Sequence, residues 1–206
     1  MKVGISITSA YPTGSGRDGA ASMVARARTA AAAGLDSLFV GDHHVVPTPY
    51  YQNTPMLGRL LAEWDDRHAG ALFLLPLWNP VLLAEQVVTL SCITRGPFIL
   101  QCALGANDYQ FKAMGANIKF RPSAFEQSLG ALRALWEGET VSLSGRWNIE
   151  NAKTWEEHAG YDLPTREYDD TSTASVSRTD FLQWMESSSQ HESTGAAGFV
   201  LGRRIM

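Results

Sequence analysis

Three consecutive residues, Asp42-His43-His44, set a carboxyl group beside two imidazoles. Such a group can exchange protons near neutral pH, clamp a ligand by hydrogen bonds, or ligate a metal. Metal binding is the weakest of the three. Neighbouring residues in an extended segment point apart, and His68, His158 and His191 stand at no ligand spacing from the group. A capping aspartate followed by two surface histidines is an equally good reading. Asn79 before Pro80 is open in the same way, between a ligand-contacting amide and a helix N-cap. Gly105 opens a polar loop that either lets backbone approach a ligand or simply turns. Cys102 lies in an apolar run with no basic neighbour in sequence, which fits an inert core thiol better than a nucleophile. The loop Thr13-Gly14-Ser15-Gly16 has neither a Lys-Ser/Thr ending nor GxGxxG spacing, so it is not read as a phosphate cradle.

These residues stand where a repeating strand-then-helix rhythm would put them, just after predicted strands. The strands read as 3–8, 35–40, 70–77 and 98–104. Helices are expected over 19–33, with Asp18 as N-cap and Gly34 as stop, and over 56–64. A third is expected over 81–94, with Pro80 in its first turn and Leu82, Leu83, Val87, Leu90 and Ile93 close to one side. The fourth is expected over 122–136. The stretch 105–121 reads as a loop, and 139–150 as a hairpin turning at Ser144-Gly145. Four strands joined by helical crossovers make a parallel sheet, whose ligands bind at the C-terminal strand ends. Periodicity leaves open whether that sheet is open and doubly wound or part of a closed barrel.

The chain has 206 residues, 45% hydrophobic and 18% charged, with a net charge of −4. That is enough apolar material for a core, and no run of Lys and Arg suggests nucleic acid or an anionic membrane as partner. Two cysteines, Cys92 and Cys102, are read as reduced core thiols. No apolar run approaches a membrane span and the N-terminus reads as a strand, so a cytoplasmic protein is expected. From 153 to 206 the rhythm stops and Ser, Thr and acidic residues dominate. That segment is expected to be a polar, weakly structured tail behind a domain at 1–152.

Several segments together resemble the bacterial-luciferase-like flavin-dependent monooxygenases. They are LDSLFVGDHH (35–44), GALFLLPLWNPVLLAEQVVTLSCITRGPFILQCALG (70–105), FKAMG (111–115) and FRPSAFEQSLGALRALWEGETVSLSGRW (120–147). The resemblance covers roughly residues 1–152 and implies an α/β chain of the (β/α)8 TIM-barrel type. Here that barrel would be incomplete, with about four βα units. It implies an oxidoreductase or monooxygenase acting on a small organic substrate, by oxygen activation or hydride transfer. The cofactor would be FMN, reduced by a separate flavin reductase, or the deazaflavin coenzyme F420. By position, His43 matches the family's active-site histidine, with Asp42 and His44 beside it. Leu75, Pro76 and Leu77 match the segment against the flavin ring, where a non-prolyl cis peptide is common. Asn79 stands where many relatives have histidine, and Cys102, Ala103, Gly105 and Asn107 match the fourth-strand end under the ring.

The chain also departs from the family pattern. Gln101 replaces a usual glycine and Pro97 a usual arginine. Ala103 stands where luciferases carry a flavin-proximal cysteine, and Cys102, one residue earlier, faces the other way. This argues against luciferase-type handling of oxygen and leaves other family chemistry open. Four βα units are half a barrel, against about 250 residues for a whole one. The alternative expectation is therefore a non-catalytic half-barrel that self-associates, two copies closing on each other as a homo-oligomer.

Overall fold

The computed structural model describes residues 2–11 and 14–154, together with two short strands, Arg166–Glu167 and Arg204–Ile205. The expectation of a weakly structured tail falls mostly outside the described residues.

The rhythm read from the sequence is present. Strands β1 (Gly4–Ile7), β2 (Ser37–Val40), β3 (His68–Leu74) and β4 (Phe98–Ala103) pair in parallel, each with the next. Helices α1 (Gly16–Ala32), α2 (Asn53–Leu60) and α3 (Pro80–Ile93) connect them, and α5 (Arg121–Trp136) follows β4. The order β1-β2-β3-β4 is sequential, whereas a doubly wound sheet reverses direction at a switch point. Sequential parallel strands joined by crossovers of one hand put every helix on the same face. Accordingly α1 packs on α2, α2 on α3, and α3 on α5. This one-sided sheet with its flanking helices is a partial (β/α)8 barrel.

Burial along the strands separates the two faces. Ile7, Leu38, Val40, Ala69, Ala71, Phe73, Phe98, Leu100 and Cys102 point into the helical layer and are buried. The opposite face carries Ser6, Phe39, Leu72, Ile99 and Gln101, all partly or fully exposed, and the register brings Ser6 beside Phe39 and Leu72 beside Gln101. Beyond β4 the sheet continues antiparallel through β8 (Arg204–Ile205) and β7 (Arg166–Glu167). A hairpin of β5 (Val141–Leu143) and β6 (Ile149–Ala152) packs beside α5.

Several local expectations need correction. Ser15, not Asp18, caps α1: its Oγ accepts from the Asp18 N–H, and the Asp18 carboxylate accepts from the Ser15 N–H as the second half of a capping box. Strand β3 ends at Leu74, because Leu75–Leu77 close into one 3₁₀ turn around Pro76. No cis peptide occurs among the described residues. The stretch read as a loop contains α4 (Asp108–Ala113) and a 3₁₀ turn, Ile118–Phe120. On α3, Leu83, Val87 and Leu90 are buried, but Leu82 and Ile93 turn off that line and are exposed, as is Cys92. Only Cys102 is a core thiol, and burial pushes it up to about 12.

Polar clamps close the helical layer. Arg67 donates to the Ala31 and Leu35 carbonyls at the end of α1 while its guanidinium lies over Trp64. Glu63 receives Arg28 and Arg59, both at 2.9 Å. Their hydrogen bonds hold its carboxyl down to about 2 from 4.5. A depressed folded-state value means stability that is present above the ordinary carboxylate range and lost as pH falls from about 4.5 toward 2. Urea midpoints measured across that window should fall less steeply for Glu63→Gln than for the parent chain.

Candidate functional site at the strand ends

Strand β2 ends against Gly41, and the next residues turn over the C-terminal end of β3. Asp42 is 1% exposed. Its Oδ2 accepts the Leu74 backbone N–H at 2.8 Å and the Trp78 indole N–H at 2.7 Å. Its Oδ1 lies 3.1 Å from His44 Nε2, close in distance but without hydrogen-bond geometry, so both atoms are buried with no bond of their own. His44 is buried too, its ring edge-on to Trp78 at 5.5 Å. Gln110 of α4 holds the His44 backbone from above, its side-chain amide donating to the His44 carbonyl at 2.8 Å.

His43, between them, is exposed and packs edge-to-face on Tyr50 at 5.1 Å. The motif is thus neither a surface cap nor two surface histidines. One imidazole is buried against the carboxyl group and the other is presented to solvent. Among the described residues, no group of three or more His, Cys, Asp or Glu is arranged to hold a metal ion.

The residues expected against a ring divide between separate settings. Leu75, Pro76 and Leu77 are all buried. Leu77 joins Leu74 and Phe111 in a small apolar cluster that also takes in Ala103, Ala116 and Ile118. Ala103 lies opposite Leu74 in register, on the face away from the helices. Gly105 has φ +74, and a Cβ there would meet the Phe111 ring at 3.0 Å. The glycine therefore serves both a left-handed turn and the seating of Phe111. Asn107 caps α4 by accepting the Gln110 N–H, and Asn79 caps α3 by accepting the Val81 and Leu82 N–H groups. Cys102, one residue before Ala103 in β4, points to the helical face and so is separated from the others.

Sequence reasoning missed Tyr50 and Gln110, and placed Trp78 after the third strand without giving it a role. Trp78 had a signal, being a polar-tipped aromatic directly after an apolar strand; buried indoles need a partner. For Gln110 the signal was Asn107-Asp108 three residues upstream, a helix start inside a supposed loop.

Removing the Asp42 carboxyl leaves one buried and one half-buried donor unpaired. Asp42→Ala should lower unfolding free energy by about 3 kcal/mol, and Asp42→Asn, which keeps one acceptor oxygen, by about 1–2 kcal/mol. Chemical denaturation followed by tryptophan fluorescence measures both.

Comparison with known proteins agrees with the partial barrel. A family model described as luciferase-like monooxygenase matches residues 1–165. An F420-dependent glucose-6-phosphate dehydrogenase of Beutenbergia cavernae is 28% identical over 124 residues, covering 56% of this chain and 37% of that protein. Among solved structures, the oxygenating constituent of 3,6-diketocamphane monooxygenase from Pseudomonas putida, in complex with FMN, superposes with a TM-score of 0.64 at 21% identity. That match covers 72% of this chain and 43% of the other. An F420-dependent secondary alcohol dehydrogenase with an F420–acetone adduct gives 0.60 at 19% identity, over 74% and 47%. The chain thus spans less than half the length of these relatives. With a matched family model over four-fifths of its sequence, the chain belongs to the luciferase-like monooxygenases.

Proposed function

We propose that this chain carries the first half of the cofactor site of a flavin- or deazaflavin-dependent oxidoreductase acting on a small organic substrate. The observation that carries the reading is the split of Asp42-His43-His44 into a buried carboxyl–imidazole pair and one solvent-facing imidazole. It lies at the C-terminal strand ends, where barrels do their chemistry. FMN accompanies the diketocamphane monooxygenase and F420 the alcohol dehydrogenase, so either cofactor suits the family. Its substrate class and a flavin reductase as partner follow from the same resemblance.

The residues present fit the flat part of such a cofactor. Ala103, Leu74 and Leu77 form an apolar wall, and the buried Oδ1 of Asp42 and Nε2 of His44 lack hydrogen bonds of their own. A reduced flavin or deazaflavin supplies hydride or electrons when bound. His43, exposed to solvent, would supply a proton donor or acceptor from its imidazole. Asp42 keeps β2 and the 75–77 turn in register, and Trp78 and His44 exclude water beneath. Barrels hold phosphate in the loops after the strands of their seventh and eighth βα units, and the described residues contain four parallel βα strands.

A second reading, a non-catalytic half-barrel that pairs with another copy, is favoured by the partial exposure of Phe39, Ile99 and Gln101 on the face without helices. It is also favoured by the position of β1 at the end of the sheet.

One set of measurements separates the two. FMN and F420 are titrated into the full chain and into His43→Ala, with sedimentation velocity on the same samples. The first reading predicts saturable binding, weakened about fivefold or more by the substitution. No binding of either cofactor would refute it. A dimer without binding would favour the second reading, and a monodisperse monomer would refute that one.

A further inference from the structure

The segment around Tyr50 is held unusually well for a connection. The Tyr11 N–H donates to the Pro49 carbonyl at 3.2 Å and the Tyr51 N–H to the Ser9 carbonyl at 3.1 Å. Ala10 and Tyr50 form an antiparallel bridge between them. The Tyr11 and Tyr51 rings stack at 4.1 Å, and the Tyr51 hydroxyl donates to the Gly16 carbonyl at the start of α1. Successive side chains in extended backbone point opposite ways. With Tyr51 directed to α1, Tyr50 is directed to the end of β2. There its hydroxyl stands over Gly41, so close that a Cβ on Gly41 would meet it at 2.8 Å. Ser9, 1% exposed, lies beside it. The ring itself meets the His43 imidazole at 5.1 Å with the planes 80° apart.

We propose that Tyr50 is the positioning residue of His43. The bridge to Ala10 fixes its backbone, the pocket over Gly41 fixes its hydroxyl, and its ring then fixes the exposed imidazole that would otherwise rotate freely. Burial, and secondarily the nearby Asp42, raise the phenol above its ordinary value. The hydroxyl therefore stays protonated at neutral pH and remains a donor. The absence of a side chain at Gly41 is part of the same device. Its functional consequence rests on the role proposed for His43, and its structural content does not.

The test uses the full chain with Tyr50→Leu, Tyr50→Phe, His43→Ala and the double variant His43→Ala/Tyr50→Leu. Imidazole CH resonances of His43 are assigned by their loss in His43→Ala. In Tyr50→Leu they should lose their ring-current displacement and move toward those of a free imidazole, and in Tyr50→Phe they should stay near their original positions. In FMN and F420 titrations, Tyr50→Leu should weaken binding a few-fold to about tenfold, as expected for one aromatic pair, and Tyr50→Phe should recover most of it. The double variant should bind no more weakly than His43→Ala alone, because Tyr50 acts through that residue.

Unmoved His43 resonances in Tyr50→Leu, or losses that add in the double variant, would overturn the proposal. If His43→Ala leaves binding unchanged, the proposed function fails and the resonances alone decide the role of Tyr50. Should Tyr50→Leu not fold, Gly41→Ala displaces the hydroxyl without removing the ring. Movement of the His43 signals there supports the proposal, and their constancy overturns it.

Discussion

One buried carboxyl group governs the geometry of this molecule's strand ends. Asp42 is out of water, and a buried polar group without partners costs about as much as a whole interaction contributes. Its Oδ2 meets that demand by accepting the Leu74 amide and the Trp78 indole, which lie on the neighbouring strand and on the turn that follows, while Oδ1 stays without a bond beside His44. Satisfying one side chain therefore fixes the end of β2 against the end of β3. Once Asp42 is committed, the alternation of extended backbone sends His43 out and His44 back in. Trp78 is held between His44 and Phe73, and α4 is drawn over the top through Gln110.

The second constraint is the strand order. Parallel strands laid down in sequence, each after a crossover of the same hand, leave one face of the sheet without helices. In this chain that face mixes Phe39, Leu72 and Ile99 with Ser6 and Gln101, none of them fully buried, whereas the helical face is closed by Phe73, Phe98 and Leu100. The asymmetry is what a barrel segment looks like from inside.

Much of this was legible in the residues. The break at Gly96-Pro97 bounded β4 closely, and the apolar run read as 70–77 located β3 but carried it past its true end at Leu74. Asn79-Pro80 marked the start of α3, because proline tolerates a first helical turn and asparagine caps it. Other features were hidden because they depend on distant partners. Sequence alone cannot tell a buried aspartate from a capping one, since the Leu74 amide that decides the matter is 32 residues away. Tyr50 lies in a polar connection, and only its bridge to Ala10 makes it part of the strand-end architecture. On α3, uniform apolarity concealed which residues face out, so Cys92 and Ile93 read as core when they are not. The six-residue α4 is too short for a periodic signal, and its buried pair, Gln110 and Phe111, is half polar.

The organising role of Asp42 can be read directly from amide hydrogen exchange. In the parent chain the Leu74 amide and the Trp78 indole N–H should exchange as slowly as the amides of β4. In Asp42→Ala both should lose that protection under conditions where Phe98 to Ala103 keep theirs. Rapid exchange of either proton in the parent chain, or protection that survives the substitution, would contradict the account.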